Sequence, residues 1–305
     1  MHTLKLALIV LLLAQVGFAE KAMTGHHDGV WKVKFSPEGD FFLTTGGEGT
    51  VKMWWTSCLC NLTSFDHDKK GMQVYDADFF PDGRVISTSL DGSIYVWFRE
   101  TGEKFTKIEG HSLYAPRVRV SADGSRFFVA SSEGKIRIYD SQTYQVLGEV
   151  VTKSPVGVVP VGASGLFTLG LEGVQLWDLS SKVSETLSPS PYFFTAEPVS
   201  SHEVLIGGSV GQGGELTIWD TNSRQIVQRL EKVDGMFWQL SVSRDGHWVA
   251  GSDFKGKTHV WDRTSGKRIF STADNFGKTM SVDFFPEGRA LLVGDVAGTT
   301  RVVRF

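Results

Sequence analysis

Apolar and polar residues alternate in short runs along most of the chain, and each run is entered through a turn of glycine and acidic residues. Seven segments share this form: GEGTVKMWW (47–55), LDGSIYVWF (90–98), SEGKIRIYD (132–140), LEGVQLWD (171–178), GGELTIWD (213–220), KGKTHVWD (255–262) and AGTTRVVRF (297–305). Alternation with period two predicts half-buried β-strands. The closing positions are Trp54, Trp97, Tyr139, Trp177, Trp219, Trp261 and Val303, separated by 43, 42, 38, 42, 42 and 42 residues. Spacing this regular marks an internal repeat.

A second set of markers lies about twenty residues upstream: FSPEG (35–39), FFPDG (79–83), VSADG (120–124), VSRDG (242–246) and FFPEG (284–288). Each is a strand end running into an acidic-Gly hairpin turn, where glycine takes a positive φ at little cost. Gly25-His26 and Gly110-His111 precede two of these markers, and Asp66-His67 stands in the same place before a third. Trp177-Asp178, Trp219-Asp220 and Trp261-Asp262, with Tyr139-Asp140 as a variant, complete the pattern. On these residues the chain resembles the WD-repeat family over nearly all of 20–305. Seven closings at this period imply an all-β fold of seven four-stranded blades around a central channel. The third strand of the last blade ends near Phe305, so the resemblance implies that Glu20–Thr24 supply its outer strand and remove an open edge.

The resemblance also assigns roles. His26, Thr44, Glu48 and Trp54 fall on the family's structural tetrad in the first blade, and His67, Ser87, Asp91 and Trp97 in the second. Such a set is a buried hydrogen-bond network rather than a catalytic triad, because an indole completes it and it repeats at blade spacing. Blades four to seven lack the histidine, and Val129 and Gly251 replace the hydroxyl in blades three and six. In WD-repeat proteins the second residue of each innermost strand often sits at the mouth of the channel. Here those residues are Trp31, Tyr75, Pro116, Gly157, Thr195, Trp238 and Met280. Trp238, Met280, Trp31 and Tyr75 form a contiguous arc, with Lys32, Asp76, Arg117 and Gln239 one position deeper. An arc of exposed Trp, Tyr and Met reads as a peptide-docking surface, the alternative being rings folded over neighbouring loops as local packing.

The first nineteen residues read differently. Lys5, the apolar run Leu6 to Ala14 and the small residues Gly17 and Ala19 have the layout of a signal peptide. Nine apolar residues fall short of the ~20 that cross a bilayer. Residues 1–19 are therefore expected to be a signal peptide and 20–305 the propeller, exported to the periplasm in a bacterium or to the secretory route in a eukaryote. The charge balance is 31 basic against 34 acidic residues, with no basic block, so nucleic acid is not an expected partner.

No constellation points to catalysis. Cys58 and Cys60 are half of a tetrahedral metal site, and a bridge across so small a ring is expected to be strained, so they read as small residues in a hairpin. His26-His27-Asp28 lacks a ligand set, since His26 belongs to the tetrad. No cofactor or metal is expected. The chain reads as a non-catalytic protein- or peptide-binding scaffold acting outside the cytosol, a monomeric propeller within a larger complex without stable membrane insertion. Two alternatives remain: a propeller enzyme with a metal or cofactor at the channel, and a structural subunit of an envelope or extracellular complex.

Overall fold

The computed structural model describes residues 22–305, apart from 69–70, 109–110, 112–113, 116, 191, 211–212 and 274–276. The predicted signal peptide, Gly110 and Pro116 thus lie outside the described residues. The alternating segments pair with their neighbours as antiparallel hairpins, giving seven four-stranded sheets. The innermost strands are Val30–Phe35, Val74–Phe79, Arg117–Val120, Gly157–Val161, Phe193–Pro198, Phe237–Val242 and Thr279–Phe284. The acidic-Gly turns also join one blade to the next. Gly39, at φ 86°, lies so close to Pro286 of blade seven that a Cβ would fall 2.5 Å from its ring.

The core sits between blades rather than within them. One layer joins Leu43, Met53 and Phe65 of blade one to Phe79, Tyr95 and Trp97 of blade two. Six further layers of the same kind continue around the ring. Blade seven closes as the resemblance implied: Met23–Thr24 pairs with Thr299–Arg304, setting Met23 opposite Thr300 and Thr24 opposite Thr299. Met23 is buried against Trp54 and Leu292, a placement worth about 2 kcal/mol.

The first tetrad is a continuous chain of polar contacts. The Trp54 indole N–H donates to the Thr44 hydroxyl oxygen at 2.9 Å, and Thr44 lies 2.8 Å from His26 Nε2. The Thr44 proton is then directed to Nε2, which leaves the ring proton on Nδ1, facing Glu48 at 2.5 Å. Burial pushes the Glu48 carboxyl up, but hydrogen bonds from His26 and Thr50 outweigh it and hold the group at about 2. Space for the ring depends on Gly46, where a Cβ would lie 2.1 Å from His26 Nδ1.

Blade two departs from the expected tetrad. His67 Nε2 and the Trp97 indole N–H both meet the Ser87 hydroxyl at 2.8 Å. Asp91 instead takes hydrogen bonds from Ser89, Ser93 and the Ser93 amide within its own turn. Among the described residues His67 Nδ1 therefore has no hydrogen-bond partner. Where the hydroxyl is missing from the expected position, the indole finds another acceptor: Thr217 in blade five and the Glu231 carbonyl in blade six.

Cys58 and Cys60 also differ from the sequence reading, because they form a disulfide. They flank the turn between the third and fourth strands of blade one. Leu59 between them takes φ 53° and buries its side chain, which brings the two Cα atoms to 5.2 Å. Among the described residues no helix is long and apolar enough to cross a membrane.

Three outcomes check this account. Deleting residues 20–24 should lower the melting temperature or cause self-association, because Thr299–Arg304 would become an open edge; size-exclusion chromatography with a thermal melt reads both. Trp97→Ala, which empties a site only 2% exposed, should cost about 3–5 kcal/mol in a denaturant titration. The third concerns pH. Burial holds His67 down at about 3, against the raising pull of Asp91 and Asp68. An unfolded histidine gains its proton near 6.5, so stability should fall as pH drops from 6.5 towards 3. His67→Gln should flatten that decline in urea titrations repeated across the range.

Candidate functional site

The side chains at the channel mouth are placed by a repeated irregularity in the sheets. In blade one, Val30 pairs with Gly46 and Lys32 with Thr45, so Trp31 between them has no partner residue. The same bulge isolates Tyr75 between Val74 and Asp76, Trp238 between Phe237 and Gln239, and Met280 between Thr279 and Ser281. An inserted residue leaves the ladder and its side chain is re-aimed. Here all four turn onto one cavity at the mouth.

Blade five corrects the sequence reading by one residue. Its bulge lies between Phe193 and Thr195, so Phe194 is the displayed side chain. Thr195 takes the deeper position that Lys32 holds in blade one. Blade five has no acidic-Gly marker from which to count, and that caused the offset. Gly157 of blade four pairs in register with Leu169.

The displayed side chains stand in two aromatic wings on either side of Met280. Trp31 lies 5.5 Å from Tyr75, which lies 4.6 Å from Tyr114. On the other side Trp238 packs 4.0 Å from Phe254, which lies 6.0 Å from Phe194. Trp238 is 40% exposed and Phe254 37%, while Trp31, Tyr75 and Met280 are half-buried. Tyr114 and Phe254 were not found by sequence reasoning. A signal for Phe254 existed: it directly follows the second strand of its blade, as do Leu90, Leu171 and Val296, all exposed. In each case the amide donates to a carbonyl just ahead of the innermost strand, fixing these residues at that end of the blade.

The cavity has a volume of ≈ 450 Å³, and Trp31, Tyr75, Trp238, Met280, Lys32, Asp76, Arg117 and Gln239 all line it. Its floor is a charge network that spans the channel. Arg119 of blade three donates to Asp76 of blade two at 2.8 Å and to Glu197 of blade five at 2.6 Å. Lys32 lies 3.8 Å from Asp76 and 3.6 Å from Glu197. Burial alone would raise the Asp76 carboxyl, but Arg119 and Lys32 outweigh it and hold the group below its ordinary value. Burial and the neighbouring Arg119 charge push the Lys32 ammonium down. A second layer lies deeper, where Lys34 meets Asp78 at 2.5 Å. The floor carboxylates are thus committed to cations and amides, while the rim offers aromatic and thioether surface.

The WD domain, G-beta repeat, matches residues 19–54 and 58–97. Protein tipD of Dictyostelium discoideum is 22% identical over 82% of this chain and 42% of its own length. Pre-mRNA-processing factor 17 of Saccharomyces cerevisiae is 22% identical over 86% of this chain and 61% of its own. SIR4-interacting protein SIF2 from the same yeast is 26% identical over 39% of this chain and 22% of its own. The chain therefore spans less than two thirds of each of these relatives. Among solved structures, the β-propeller domain of Cps50 (Swd1) from Myceliophteria thermophila superposes with a TM-score of 0.79 at 15% identity, covering 94% of this chain and 99% of that one.

These relatives correct the expectation of export. A protein named for pre-mRNA processing works inside the cell, and such relatives point to an intracellular location. An apolar stretch followed by small residues matches a leader by composition alone, and that pattern is not specific to export. Residues 19–97 carry two WD repeats, Trp-Asp pairs close three further blades, and the seven-bladed ring is similar to a solved WD-type propeller, an architecture typical of protein-interaction scaffolds.

Proposed function

We propose that this propeller is a non-catalytic scaffold that binds an extended segment of a protein partner across the channel mouth. The observation that carries the reading is the bulge set: Trp31, Tyr75, Phe194, Trp238 and Met280 are all displayed on one cavity. Large, stiff side chains of this kind give much contact area for little ordering entropy, as binding hot spots do. The exposed Leu90, Leu171 and Val296 widen the apolar surface around them. A peptide occupant suits a cavity of this size with open flanks. Asp76 and Glu197 are held by Arg119, which supports binding over acid–base chemistry. A relative named for its interaction with another protein supports the same reading.

The test compares the wild-type chain with Trp31→Ala and Trp238→Ala as baits in an extract of the native cells, with bound proteins identified by mass spectrometry. A partner retained by the wild type should be lost from both variants, each Trp contributing roughly 2 kcal/mol, or about thirtyfold in affinity. Trp238→Ala should melt close to the wild type, because its ring is substantially exposed. Equal retention by well-folded variants would overturn the proposal.

A further inference from the structure

Lys32 stands apart from every other charge in the channel. Its side chain is only 6% exposed, yet its nearest carboxylate oxygens lie at 3.6 and 3.8 Å, beyond hydrogen-bond reach. Among the described residues its ammonium makes no hydrogen bond. Lys34, two residues deeper, closes directly on Asp78. The carboxylates near Lys32 are already engaged. Asp76 accepts from the Ala77 amide, the Val118 amide and Arg119, and Glu197 accepts from Arg119. A mostly buried ammonium held off its carboxylates by more than hydrogen-bond distance is poorly compensated. The cost is relieved when an acceptor enters the cavity that Lys32 lines.

The charges lining the cavity say which acceptor. Lys32, Arg117 and Arg119 are three cations against two carboxylates, Asp76 and Glu197, so the lining carries a surplus of one positive charge (3 − 2). The whole chain, by contrast, has a net charge of −3. A single carboxylate balances the surplus. A phosphate dianion would exceed it and face Asp76 and Glu197, while a neutral carbonyl would leave it standing.

We propose that the cavity floor is a carboxylate pocket, in which Lys32, assisted by Arg117, receives an aspartate or glutamate side chain from the bound segment. The pocket rests on the reading of the mouth as a peptide site and adds the ligand's charge to it. The aromatic wings flank the floor on two sides, so a segment in contact with both continues past the pocket in both directions. The anion therefore comes from a side chain within the segment rather than from a chain end.

The experiment selects heptapeptides from a positional-scanning library, N-acetylated and C-amidated, on the immobilised full chain. Asp or Glu should be enriched over Asn or Gln about tenfold or more at one position, with apolar residues preferred on both sides. Lys32→Met should abolish the acidic preference while keeping the apolar one, and Lys32→Arg should retain both. Arg117→Gln should lower the acidic enrichment severalfold, and it decides the matter if Lys32→Met does not fold. Apolar selection without acidic enrichment, or acidic enrichment unchanged in Lys32→Met or in Arg117→Gln, overturns the pocket and leaves the peptide site standing. Acidic enrichment confined to a parallel library with free C-termini overturns the side-chain assignment. No peptide selection in either library overturns both readings.

Discussion

The innermost strand of every blade has a ladder partner on one side only, so the channel would be lined by open backbone edges. Unpaired amides buried in this way are costly. The structure meets that cost with side chains from the neighbouring blade. Asp76 and Asp78 of blade two accept from the Val118 and Val120 amides of blade three. Asp283 of blade seven accepts from the Phe35 amide of blade one, and Ser281 donates to the Val30 carbonyl. These contacts stitch adjacent blades along the channel, and they explain why carboxylates lie so deep in the ring.

That requirement shapes the site. Carboxylates placed on the inner strands for the backbone need cations nearby, and Arg119 and Lys34 supply them. Burial and the Arg119 charge both press on Lys32, whose ammonium stays beyond hydrogen-bond distance of its carboxylates. The polar floor is thus partly a by-product of how the ring is joined, while the rim, built from unpaired residues, is free to be apolar. In the proposed scaffold, binding falls to the rim and charge discrimination to the floor.

Much of this was legible in the chain. The spacing of Trp54, Trp97, Tyr139, Trp177, Trp219, Trp261 and Val303 carried the blade count, because each is fixed by the same strand geometry. The closing role of residues before His26 was implied by the resemblance to WD-repeat proteins. Other features were hidden for physical reasons. A bulge adds a residue without a compositional mark, so Phe193 and Phe194 could not be told apart by pattern. Asp91 matches the tetrad by position, yet its carboxylate is captured by the hydroxyls of Ser89 and Ser93. The pairing of Cys58 with Cys60 depended on Leu59 adopting a left-handed backbone, which its residue type does not advertise.

The bulged residues have one further consequence. Because Trp31, Tyr75, Phe194, Trp238 and Met280 lie outside the strand ladders, exchanging them leaves the pairing register untouched. Selection can then act on recognition and on architecture through separate sets of positions. A duplicated copy of this ring could acquire a new partner by drift at five sites, with no intermediate that has to fold differently.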